Sequence, residues 1–188
     1  MSKTSFKGSA MLAPVPPALI SCGNMTNSNI ITVAWTGMLA TNPPTTYISL
    51  RKERYSYDII KNSGEFVINL CTAKLVPFAD FCGVRSGKDI DKFEFCNLSK
   101  EKAFKVSCPL IAESPISLEC KVKEIVPLGS HDMFIADIVS CDISEKIIDK
   151  KNKIHFESAD LAAFAHGEYF SLGKRIGTFG YTVKKDRK

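Results

Sequence analysis

The sequence of 188 residues is short of the motifs that most often betray a function. It has three histidines, His131, His155 and His166. None stands in an H-E-x-x-H or related spacing, which argues against protein-based metal catalysis. There is no G-x-G-x-x-G, no P-loop and no G-x-S-x-G. The seven cysteines (Cys22, Cys71, Cys82, Cys96, Cys108, Cys120 and Cys141) include no C-x-x-C pair, so zinc ribbons and iron–sulfur ligation lack their close ligand pairs. An odd count speaks against a complete set of internal disulfides. Reduced thiols acting as small buried hydrophobes in a cytoplasmic protein are the expectation. A Cys–His nucleophilic pair needs no proximity in sequence, but nothing singles one out. No apolar run approaches the ~18 residues of a membrane span, and no membrane association is expected. "MLAPVPPALISC" loosely imitates a lipoprotein signal. Pro14, Pro16 and Pro17 interrupt the apolar helix that such a signal needs, so that reading is rejected.

What is present is an ordinary globular composition, 45% hydrophobic and 24% charged, on a length that suits one domain. The net charge of +5 comes largely from a basic tail at residues 183–188, "VKKDRK". That tail is too short for a nucleic-acid patch.

Residues 18–22, 30–36 and 45–50 read as strands, rich in Ile, Val and Thr. "ERYSYDIIKNSG" changes to helical spacing, with Gly64 as its stop. Residues 65–71 return to strand. Pro77 opens a short helix that ends at Gly83. Residues 84–116 read mostly as loop with short strands. In 117–126, Leu118, Cys120 and Val122 alternate with Glu119, Lys121 and Lys123, the pattern of a half-buried strand with its charges in solvent. After a turn at residues 127–130, "MFIADIVSCDI" forms the returning strand. Ser158 is placed as the cap of a last helix stopped by Gly167, with Leu161, Phe164 and Ala165 on one face. There is no βαβ alternation. The sum is mainly β (α+β): antiparallel strands in a barrel or strongly curved sheet, with short helices outside.

Three stretches carry potential chemistry. "NSNIITVAWTG" (27–37) sets a polar edge against a β run that ends on Trp35, the single tryptophan. "RKERYSY" (51–57) brings Arg51, Arg54 and Ser56 to a helix start, where free N–H groups and the helix dipole suit a phosphate. A charged surface turn reads the same way. "CGVRSGKDIDKF" (82–93) gathers Cys82, Arg85, Ser86, Lys88 and Lys92 around glycines, a loop able to face an anion or merely to be solvated. With no catalytic motif in the chain itself, redox or group chemistry would come from a bound cofactor.

Together with "APVPPALISCG", "NPPTTYISL", "SGEFVINL" and "PISLEC", these blocks resemble the flavin reductase-like, FMN-binding split β-barrel proteins, over roughly residues 10–180. The resemblance implies a Greek-key split barrel spanning residues 1–188 as one domain. It implies one FMN per chain and a homodimer, with a redox partner protein or NAD(P)H as electron donor. Mapped residue by residue, it puts FMN contacts at Asn29, Trp35, Ser56, Lys92, His131 and Phe164, with backbone groups from Ile30, Ile31, Thr32 and Ala34 at the flavin edge. Arg51, Arg54 and Ser86 are expected to assist at the phosphate. Lys92 suits either the phosphate or the ring. The competing class is a small-barrel binding module without redox chemistry, taking single-stranded nucleic acid on aromatic platforms. The basic residues lack interleaved aromatics, so no nucleic-acid partner is expected.

Overall fold

The structure is a computed structural model and describes residues 1–183. Val183 apart, the basic tail expected at 183–188 lies outside the described residues. The strands are β1 (Ala18–Gly23), β2 (Ser28–Val33), β3 (Thr36–Thr41), β4 (Pro44–Leu50), β5 (Glu65–Leu70), the short β6 (Lys100–Glu101) and β7 (Leu110–Ile111), the long β8 (Ile116–Pro127) and β9 (Asp132–Ile143), and a last hairpin of β10 (Ala162–Ala165) and β11 (Glu168–Ser171). The helices are α1 (Tyr55–Ser63), α2 (Val76–Val84) and α3 (Lys92–Phe95).

Seven strands form one sheet in the order β2-β1-β5-β8-β9-β4-β3, with every pairing antiparallel. The two edge strands, β2 and β3, are neighbours in sequence, joined only by Ala34 and Trp35. Three residue steps reach at most roughly 11 Å. The sheet must therefore curl until its edges almost meet, and a bond from Ser49 N to Trp35 O (2.9 Å) carries the β3–β4 pairing one step into that two-residue seam.

The curled sheet encloses Ile20, Ile31, Val33, Ile48, Phe66, Ile68 and Phe134, and α1 closes one end with Tyr57 and Ile60. On the outer face of β1 and β2, Leu19 and Ile30 meet Leu75, Ala79 and Cys82 of the α2 region and Phe93 of α3. Covered on both faces, β1 is buried along Ala18–Cys22, and its one polar side chain there, Ser21, is satisfied by donating to Pro109 O at 2.6 Å.

The expected helix at the start of "ERYSYDIIKNSG" is α1. Gly64 ends it in the left-handed region (φ 69°), its N–H bonded to Ile60 O. The helix at Pro77 runs Val76–Val84. Four expectations need correction. The strand read at 30–36 breaks at the seam, and β3 starts anew at Thr36. Within 84–116 there is an additional helix, α3, capped by the Asp91 carboxylate accepting from Phe93 N (2.9 Å) and Glu94 N (3.2 Å). Glu119, expected in solvent, is fully buried, because its carboxylate accepts from the N–H groups of Phe104, Lys105 and Val106 at 2.8, 2.6 and 2.9 Å.

The helix expected from Ser158 to Gly167 is a short 3-10 turn followed by the β10–β11 hairpin. Asp160, His166 and Gly167 take φ values of 50°, 50° and 93°, and no helix passes through those. Non-local partners decide the outcome over the local pattern: Ala162 N bonds Cys71 O, and Phe164 pairs with Val15 in both directions.

Candidate functional site

Two adjoining clefts, of about 460 and 480 Å³, share Ile31 and Arg54 and form one elongated groove along the outer edge of β2.

The first cleft is polar. Asn29 is turned off the start of β2 and Ser56 off the first turn of α1. Both are buried, and Asn29 Nδ2 donates to Ser56 Oγ at 2.7 Å. Lys92, from the start of α3, is only 2% exposed. Its ammonium donates to Ile30 O (2.7 Å) and Cys82 O (2.8 Å), which leaves one of three donors unassigned. Burial pulls the Lys92 amine below its usual range, and the Arg54 guanidinium adds to this. Arg85, Ser86 and Gly87 bring the loop after α2 over the same cleft. A Cβ on Gly87 would stand 2.1 Å from Asn29 Oδ1, so only glycine lets the loop lie this close.

The second cleft is framed by backbone. Its lining runs from Ile31 to Trp35 and includes Arg51, Gly83 and His131. Among the described residues the outer edge of β2 has no strand partner. The Ile30 carbonyl faces outward onto Lys92, so the period of two along an antiparallel strand turns the Thr32 backbone groups outward as well. The Thr32 hydroxyl points elsewhere, onto Ala79 O at 2.5 Å. Trp35 stands at the seam 39% exposed, and His131 Nδ1 lies 2.9 Å from Ser130 Oγ. Arg54 divides the clefts and is anchored by Nη2 donating to Gly83 O at 2.5 Å.

The structure thus gathers Asn29, Ile31, Thr32, Ala34, Trp35, Arg51, Arg54, Ser56, Ser86, Lys92 and His131 along one groove. Ile30 contributes only its carbonyl, its side chain being fully buried beneath α2. Phe164 lies outside both clefts, edge-on to Tyr169 with 5.2 Å between ring centres. Sequence reasoning passed over Glu53, Tyr55 and Val84, which also line the polar cleft, and took Gly87 only as one of the glycines of its loop. The Ser86-Gly87 pair was the available signal for Gly87. Among the described residues no group of three His, Cys, Asp or Glu side chains is placed to hold a metal. No described helix is long and apolar enough to cross a membrane.

A length of edge backbone, an indole and a cluster of cations suit an elongated ligand with a flat polar-edged part and an anionic end. Comparison with known proteins gives the same direction. The profile of the Flavin reductase like domain matches residues 11–173. An uncharacterized protein of Archaeoglobus fulgidus is 29% identical over 153 residues, 81% of this chain and 86% of its own. The fold superposes on flavoredoxin of Desulfovibrio vulgaris (Miyazaki F) with a TM-score of 0.90 at 27% identity, covering 97% of this chain and all of the other. It also superposes on a flavoredoxin from Methanosarcina acetivorans with a TM-score of 0.87 at 22% identity, covering 98% of this chain and all of the other.

Proposed function

The chain belongs to the flavin reductase-like family, and from that premise we propose that it is an FMN-binding redox protein, taking electrons from a reduced donor and passing them to an acceptor. The observation that carries this reading is the single groove with a cationic end and a backbone edge. Bound FMN would supply the acceptance and release of hydride or electrons, chemistry that no side chain here offers.

The residues fit each part of that cofactor. Ser56, the N–H groups of Tyr55 and Ser56 at the start of α1, Arg54 and Arg85 hold a phosphate. The Thr32 backbone, on the unpaired edge, meets the donor and acceptor edge of a flat ring system. Trp35 covers its apolar face, an aromatic contact adding ~0.5–1.5 kcal/mol beyond burial. Asn29 and Ser56, each bonded to the other, are held in one orientation before a ligand arrives. Arg51 and His131 at the other end bring a guanidinium and an imidazole to the groove.

The donor is NAD(P)H or a redox protein. Steady NADH or NADPH oxidation with added FMN marks a reductase, and its absence marks a carrier. The protein acts as a homodimer. Met38 and Leu39 are exposed on the edge strand β3 beside the half-exposed Trp35, and such an edge needs cover. Free cysteines, six of the seven buried, suit the reducing cytoplasm.

The test is a visible spectrum of the purified protein, followed by chromatography of any released chromophore. About one FMN per chain is expected. A colourless protein that also fails to take up added FMN overturns the reading.

A further inference from the structure

We propose that Asp132, with Tyr57 and Lys52, is a positioning cluster that sets Arg51, Ser56 and His131 in the groove; the proposal rests on the flavin reading of that groove. Asp132 opens β9 and is only 5% exposed. Tyr57 of α1 donates its hydroxyl to Asp132 Oδ2 at 2.5 Å. Lys52, in the turn after β4, brings its ammonium to 3.5 Å from Oδ1, an oxygen that is buried and has no hydrogen-bond donor among the described residues. One carboxylate thus ties together three separate pieces of chain.

Each of the three pieces places the preceding residue in the groove. Arg51 precedes Lys52, Ser56 precedes Tyr57, and His131 precedes Asp132. Fixing one residue fixes the backbone of its neighbour, so the carboxylate locks the relative spacing of a guanidinium, a hydroxyl and an imidazole that no direct contact links.

Stability alone does not account for the charge. A buried ion or ion pair is often no better for stability than apolar residues of the same volume. The apolar contact already exists without it: the Tyr57 ring packs edge-on against Phe134 with 5.3 Å between centres. The carboxylate also pushes the Tyr57 hydroxyl up to about 12, so Tyr57 remains a donor across the working pH range.

The test compares Tyr57→Phe, which keeps the ring contact, with Lys52→Met and a control, Ser21→Ala. Ser21 is fully buried and donates to Pro109 O at 2.6 Å, and neither residue lines the groove. Two quantities are read: FMN affinity by fluorescence quenching, and the NMR signals of the His131 ring and the Ser56 amide in FMN-free protein. Tyr57→Phe is expected to weaken FMN about tenfold, the factor that ~1.4 kcal/mol of lost positioning gives, and to move both signals together. Lys52→Met moves them the same way by less. Ser21→Ala lowers the melting temperature without moving either.

A folded Tyr57→Phe protein with both signals in place overturns the proposal. Should that variant not fold, Lys52→Met decides, since the lysine side chain is 61% exposed and its loss leaves the fold intact; unmoved signals there overturn it too. If the parent takes up no FMN, the flavin reading falls, while the flavin-free signals still decide the positioning role.

Discussion

At the Lys92 end of the groove, Lys92, Asn29 and Ser56 already have protein partners and almost no exposure. At the Trp35 end the groove is lined by a half-exposed indole, a bare strand edge and a surface arginine. The first end is woven into the core, so its binding geometry and its stability are one property. The second end is free of that obligation, so its side chains can vary without disturbing the fold. Recognition of the anionic end is therefore expected to be rigid, and the redox-facing end adaptable.

The largest test of this contrast is Lys92→Met. It strands the buried carbonyls of Ile30 and Cys82, with an expected loss of about 2–4 kcal/mol in urea unfolding together with loss of FMN retention. A variant that loses FMN at full stability breaks the link between the two properties. Next, Gly87→Ala drives a Cβ onto Asn29 Oδ1. The loop must lift, and FMN affinity is expected to fall about tenfold, while stability changes by less than about 1 kcal/mol because a surface loop absorbs the shift. Unchanged affinity would mean that the loop does not cover the ligand. Smaller still, Trp35→Ala should leave the melting temperature almost unmoved and weaken FMN by roughly two- to tenfold, the worth of an aromatic contact. Adding Asn29→Ala to it is expected to abolish retention in a folded protein.

The smallest effect is reserved for a site remote from both ends. Asp142 lies at the far end of β9 from Asp132, ten residues along a strand rising ~3.3 Å each. Burial, then the neighbouring Glu119, pushes its carboxyl from 3.8 up to about 6. A carboxyl raised in the folded state stabilises below its unfolded value, and that contribution is lost as pH climbs through about 6. Asp142→Asn should therefore raise the melting temperature above pH 6 and leave it unchanged near pH 3. FMN affinity should not change at either pH, and a change there would mean the far end of β9 is coupled to the groove.

The groove was legible where function and local pattern coincide. Residues 27–37, 51–57 and 82–93 are contiguous blocks whose glycines, polar caps and β runs point the same way, and they hold most of its lining. Elsewhere, distant partners outvoted the local signal. "LAAFAHG" has helical spacing, but Val15 and Cys71 claim its backbone as strand, and the map's Phe164 left the groove with it. The alternation in β8 put Glu119 in solvent, whereas bulges in its pairing with β9 and three N–H donors hold it inside. "TGMLAT" has weak β propensity and becomes a strand because β4 pairs with it. No pattern in one stretch of sequence announces that Asp132 will meet Tyr57 and Lys52.

Trp35, held in the two-residue seam, is the single indole of the chain. Its ultraviolet emission therefore arises from one place, the junction of the two sheet edges beside the second cleft. A yellow chromophore lodged there would drain that emission by energy transfer, and an opening of the seam would shift its colour. The molecule carries its own optical gauge, unlabelled, able to follow occupancy and closure on the timescale of a stopped-flow mixing experiment.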